Sequence, residues 1–175
     1  MRHVSRDGRY LRVADPDWRD PLSGEHARRS GGRWNPPGSF GVVYLNASLD
    51  VARAQVRRKL EPRGIRPEDL VPDRGPVLVR TELPDGRYVD AVTDRGLASL
   101  GLPGNYPLDA RGNVVPHATC QPLGQAAWDA GEPGIACRSA ARTVPAGGEE
   151  LAFFGRRRLR VQHSEQFPDW YWSDE

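Results

Sequence analysis

The sequence predicts an α+β fold, with short helices set on a mixed or split β-sheet. Three observations carry this expectation. Nineteen glycines and sixteen prolines, a fifth of the chain, cut it into short elements joined by many loops. Apolar runs at 42–45 and 135–137 have strand length. Leu49, Ala52, Val56 and Leu60 are spaced by three and four, so they share one helix face. At 175 residues the chain is long enough to bury a substantial core. One domain over 1–175 is expected, with its core at about 10–161.

The elements follow in order. Residues 10–13 read as a first strand with Arg12 near its centre, and polar 15–29 as a loop anchored by Trp18. A strand at 42–45 comes next. Ser48 then caps a helix running to Leu60, which Pro62 and Gly64 stop. Two strands are expected at 77–83 and 87–92. Asp94 is placed to cap a short helix ending at Gly101, followed by a Pro/Gly-rich loop over 102–113. A helix over 121–130 would put Pro122 in its first turn. The last strands are read at 135–137, 151–154 and 159–161. Phe167, Trp170, Tyr171 and Trp172 are too apolar for a free tail, which is expected to pack on the domain.

Composition narrows the function. The net charge is only +2, with both signs interspersed, which argues against nucleic-acid binding. Lys59 is the single lysine, so guanidinium groups supply nearly all the positive charge. No run approaches the ~18 apolar residues of a membrane span, and no secretion signal opens the chain. Cys120 and Cys137 lack metal-like spacing and read as reduced thiols of a cytoplasmic protein. His3, His26, His117 and His163 show no metal spacing either, so no metal is assigned. Arg156, Arg157 and Arg158 read as a solvated turn. Arg57, Arg58 and Lys59 read as the outer face and C-terminal end of their helix.

The segment Gly31-Gly32-Arg33-Trp34-Asn35-Pro36-Pro37-Gly38 holds the chemistry. It sets an arginine and a tryptophan on a stiff turn just before a strand. An arginine's planar fork makes two parallel hydrogen bonds to a phosphate or pyrophosphate, which lysine cannot reproduce. The bland alternatives are a tight turn plugged by Trp34, a core role for Tyr44, and an ion pair of Arg12 with Asp15 or Asp17.

This motif, the tyrosine of the next strand and the late Gly-Ile-Ala-Cys-Arg-Ser-Ala segment together resemble the RES domain family. The resemblance runs from Tyr10 to about Val161. It implies an ADP-ribosyltransferase-like core that acts on NAD by cleaving the nicotinamide–ribose bond, through hydrolysis, phosphorolysis or ADP-ribosyl transfer. It implies a toxin whose partner is an antitoxin with an Xre-like helix-turn-helix region. NAD would be substrate or ligand, with no resident cofactor. A homo-oligomer is compatible with the sequence.

Residue by residue, the resemblance puts Arg12 and Arg33 on the NAD pyrophosphate. It puts the Tyr44 ring on the nicotinamide, and the Ser139 hydroxyl on the ribose or a phosphate. The family's glutamate falls at Gln55. That side chain keeps the shape of a glutamate but lacks its charge and basicity. Loss of one such group commonly costs about two to four orders of magnitude in rate. Arg33, Gln55 and Ser139 are thus the expected catalytic positions, with a weakened or NAD-binding-only member as the alternative. Glu149 and Glu150 are the first candidates for a replacement carboxylate.

Overall fold

The computed structural model describes residues 1–141 and 148–174. In chain order the elements are β1 (His3–Ala14), α1 (Glu25–Ser30), β2 (Val43–Asn46), α2 (Leu49–Leu60), β3 (Val77–Ala91), α3 (Asp94–Ser99), α4 (His117–Asp129), β4 (Gly134–Arg138), β5 (Glu149–Phe153), β6 (Val161–Glu165) and α5 (Phe167–Tyr171). The α+β expectation holds.

The strand pairings close on themselves. The order is β1-β2-β5-β4-β3, and β1 also pairs with β3, so five strands form a small barrel. β6 adds to the first half of β3. Among the described strands the β3–β4 pair is parallel and the other pairs are antiparallel. The two long strands, β1 and β3, form the wall on which the shorter ones are hung.

Several boundaries differ from the expectation. β1 begins at His3 rather than Tyr10, because its polar first half gains a partner in the second half of β3. The two strands expected at 77–83 and 87–92 are one continuous strand. Pro84 to Gly86 stay extended because β1 follows them through a bulge between Arg6 and Gly8. The segment read as loop at 15–29 ends in the short α1. The helix expected to start at Gln121 starts at His117, which leaves Pro122 in its interior. The cap of α3 is Thr93, whose side chain accepts from Gly96 N–H. Asp90 in turn accepts from Thr93 N–H and hydroxyl, so the capping group is itself fixed. The strand read at 159–161 lies at Val161–Glu165.

α2 matches its expected range, and Ser48 caps it by accepting from Val51 N–H. Ala52, Val56 and Leu60 on its inner face pack with Leu11, Leu78, Phe167, Trp170 and Tyr171. The aromatic end of the chain is thus buried, and the Trp170 indole N–H donates to Pro76 O at 2.9 Å. Trp172 stays half-exposed.

The alternation of side chains along β5 sorts the other two cores. Leu151 and Phe153 join Tyr10, Val43, Leu45, Val79 and Leu83 in one cluster. Ala152 and Phe154 join Trp34, Val42, Val89, Leu97 and Cys137 in the other. That parity decides which residues can reach the site. Among the described residues no helix is long and apolar enough to cross a membrane.

Candidate functional site

A cleft of about 680 Å³ opens between the ends of β1 and β2, the Arg33 turn, and α2. That volume suits a small-molecule ligand, for which pockets of about 300–1,000 Å³ are usual. Arg12, Arg33, Tyr44 and Gln55 all line it. Four residues far apart in sequence therefore meet, as the resemblance implies.

The Arg33 turn is tied down on three sides. Gly31 adopts φ +72°, a left-handed conformation that favours glycine. A Cβ on Gly32 would lie 2.4 Å from the Tyr44 hydroxyl, so only glycine lets the ring approach. That hydroxyl accepts from Trp34 N–H at 2.9 Å and donates to Asn35 Oδ1 at 2.9 Å. Asn35 Nδ2 donates to Ala27 O at 2.7 Å. From the other side, Gln121 of α4 donates to Gly32 O at 3.0 Å, and the bare Cα of Gly124 lets α4 meet the Trp34 carbonyl. Trp34 is fully buried, with its indole N–H on the Cys137 sulfur at 3.3 Å. Both cysteines are free and buried.

Arg33 is 8% exposed and donates to Val115 O at 2.8 Å. Arg12 is 5% exposed and donates to Ser23 O at 3.0 Å, and its guanidinium lies 5.0 Å from the centre of the Trp18 ring. It pairs with neither Asp15 nor Asp17. Burial pushes its pKa down to about 10, with Asp20 opposing, so it stays cationic at neutral pH. Two arginines are thereby held with few solvent contacts, each oriented through one backbone carbonyl. Tyr44 lines the cleft while its hydroxyl braces the Arg33 turn, a bracing role that its sequence position did not announce. Burial raises its pKa, so it stays a neutral phenol.

Ser139 differs from the other four. Among the described residues it does not line the cleft. Its hydroxyl accepts from Ala141 N–H at 3.2 Å and lies near the Glu150 carboxylate. Glu150 does line the cleft. Glu149 points the other way, where Arg6 grips it at 2.6 and 2.7 Å and the Tyr10 hydroxyl donates to it at 3.2 Å.

The sequence reading missed other lining residues. Arg58 and Lys59 face the cleft, whereas the outer face had been expected. They follow Gln55 by three and four positions, the spacing that shares a helix face, so the signal was present. Arg57 alone turns away, toward the Tyr171 hydroxyl at 3.3 Å. His117, at the start of α4, also lines the cleft. Burial, then Arg33 and Arg58, lowers its pKa and keeps it neutral near pH 7. Arg156 is more than a solvated turn residue, since its guanidinium lies 3.8 Å from the Trp128 ring centre. Among the described residues no group of His, Cys, Asp and Glu side chains could hold a metal.

The charge balance of the cleft is lopsided. Among the described lining residues, Arg12, Arg33, Arg58, Lys59, Arg63 and Arg74 face two carboxylates, Asp15 and Glu150. Such a wall concentrates anions, and a ligand with two or more phosphate charges fits it best.

The NAD(+) phosphorylases MbcT of Mycobacterium bovis and Mycobacterium tuberculosis are 34% identical over 112 residues. That stretch is 63% of this chain and 56% of theirs, so the chain spans a little over half the length of these curated relatives. The crystal structure of the M. tuberculosis MbcT–MbcA toxin–antitoxin complex superimposes with a TM-score of 0.77 at 26% identity, covering 97% of this chain and 91% of that one. The RES domain profile matches residues 9–173, and the chain belongs to that family.

Proposed function

We propose that this chain cleaves NAD at the nicotinamide–ribose bond and acts as the toxin of a toxin–antitoxin pair. The single observation that carries the reading is the cationic cleft in which Arg12, Arg33, Tyr44 and Gln55 converge. Its family membership and its likeness to proteins named NAD(+) phosphorylase and toxin support it.

The chemistry follows from the charges. The NAD pyrophosphate carries two negative charges, and Arg12 and Arg33 offer planar forks already oriented by Ser23 O and Val115 O. With that group held, the nicotinamide ribose would lie within the same cleft, lined by Tyr44 and α2. The nicotinamide ring is a positively charged leaving group, so its departure needs no acid. The difficulty is the ribosyl cation left behind, which favours a nearby carboxylate and a prompt nucleophile. Inorganic phosphate is the preferred nucleophile. The cations at the mouth, Arg58, Lys59, Arg63 and Arg74, would attract a second anion as well as the first. A protein antitoxin, of Xre-like type by resemblance, would act by occluding this mouth.

The test is incubation of the purified protein with NAD, with and without inorganic phosphate, and mass analysis of the products. Nicotinamide release with a phosphate-dependent ADP-ribosyl phosphate is the expected result. Intact NAD after prolonged incubation with folded protein would refute the reading.

A further inference from the structure

Gln55 lines the cleft but its amide is neutral at every pH, so it cannot face a ribosyl cation with a negative charge. Two carboxylates line the cleft among the described residues, Asp15 and Glu150. Asp15 is occupied locally, its side chain accepting from Asp17 N–H at 3.0 Å at the start of an exposed loop. Glu150 is placed differently. It is partly buried on β5, in register with Asn46 of β2 on one side and Cys137 of β4 on the other. Asn46 is two residues beyond Tyr44, so Tyr44, Asn46 and Glu150 line the same wall.

The geometry points to Glu150 as the carboxylate that faces the reacting ribose carbon, in place of the helix position filled by Gln55. This inference rests on the NAD-cleaving reading above. The side chain is held, as such a role requires. Ala140 N–H donates to its Oε1 at 3.1 Å, and the Ser139 side chain lies close by. Ser139 fixes the turn that carries this donor, by accepting from Ala141 N–H at 3.2 Å, and is thereby a positioning residue rather than one that lines the cleft. Arg33 and Arg58 lie close enough to favour the ionised form. Glu149, one residue earlier, is excluded by strand alternation and by its grip on Arg6.

The bond between ribose C1′ and the nicotinamide nitrogen breaks, and its electron pair leaves with nicotinamide, cancelling the ring's positive charge. A new bond forms from C1′ to an oxygen of inorganic phosphate or water. With phosphate an anionic oxygen attacks and no proton must move. With water the proton passes to Glu150 and then to solvent. In both cases the ionised carboxylate faces positive charge as it develops on the ribose.

The experiment compares wild type, Glu150→Gln, Glu150→Asp and the double variant Gln55→Glu/Glu150→Gln, measuring kcat and calorimetric NAD affinity. Glu150→Gln keeps the shape and the bond from Ala140, so its NAD affinity should stay within about threefold. Its kcat should fall by roughly 100- to 1,000-fold. Glu150→Asp should retain part of the rate. The double variant should recover at least about tenfold over Glu150→Gln, because it returns a carboxylate to the cleft from α2; a purely structural role for Glu150 would give no such rescue. Should Glu150→Gln fail to fold, the wild-type pH profile decides. Burial raises the Glu150 pKa against its hydrogen bonds and the two arginines, so the acid limb of kcat should lie above the ordinary glutamate range. A wild type that cleaves NAD while folded Glu150→Gln cleaves equally well, or a profile with no such limb, overturns the assignment and leaves the proposed activity standing. A folded wild type that neither binds nor cleaves NAD overturns both.

Discussion

Glu149 and Glu150 are the same residue type, one peptide apart, and their surroundings differ in nearly every respect. Glu149 is clamped by Arg6 and Tyr10 on the side of β5 that packs with β1 and β3. Glu150 sits on the other side, beside Ser139 and Ala140, facing a cleft walled by arginines. The first carboxylate has its charge matched at short range and serves the barrel. The second is held by the Ala140 N–H while one side stays open to the cleft. Strand alternation alone makes this division, and it separates a carboxylate bound into the barrel from one open to the cleft.

The division breaks if stability and catalysis fail to separate by region. The largest effect should come from Trp170, which is fully buried between α2 and β3 and lies outside the cleft lining. Trp170→Ala should cost about 3–5 kcal/mol. At roughly 2–4 °C per kcal/mol for a chain of this size, the melting temperature should fall by about 10 °C. Turnover measured well below that temperature should be unchanged. A Trp170→Ala protein that is stable but inactive would mean that α5 contributes to the site.

Glu149→Gln is the sharper control. It removes one charge of a pair whose side chains are 25% and 14% exposed. A charge-assisted bond of this kind contributes about 2 kcal/mol, so a moderate drop in melting temperature is expected. The rate of NAD cleavage should not move. A loss of rate without loss of stability would place the reacting carboxylate on the wrong side of β5.

Arg33→Lys should act in the opposite sense. Lysine keeps the charge but not the fork, so NAD affinity should weaken by about tenfold, read by calorimetry, with a small change in melting temperature. Unchanged affinity would remove Arg33 from the pyrophosphate. The smallest effect is expected from Gln55→Glu alone. With Glu150 present, a second carboxylate adds repulsion as well as stabilisation, and kcat should change by no more than about threefold. A large gain would return the role to α2.

Much of this arrangement was legible in the sequence. The Ser48 cap, the spacing of Leu49 to Leu60 and the stop at Pro62 fixed α2 to the residue, because local chemistry sets all three. The Gly31–Gly38 motif singled out Arg33, and the glycines prove necessary for a backbone angle and for the approach of Tyr44. What escaped depends on partners distant in sequence. Nothing local announces that β1 closes the barrel on β3, or that 77–91 stays one strand. The cap of α3 fell on Thr93 rather than Asp94 because Asp90, across the turn, fixes its hydroxyl. The place of Ser139 near Glu150 needed the β4–β5 register. The faces of Glu149 and Glu150 lay within reach of the sequence, since Leu151 and Phe153 continue one parity and Ala152 and Phe154 the other.

The most direct measurement of the central claim is a side-by-side time course of nicotinamide release from saturating NAD, in phosphate buffer, by folded wild type, Glu149→Gln and Glu150→Gln. Wild type and Glu149→Gln should release nicotinamide at the same rate, and Glu150→Gln at least about 100-fold more slowly. Equal rates for the two variants would contradict the account.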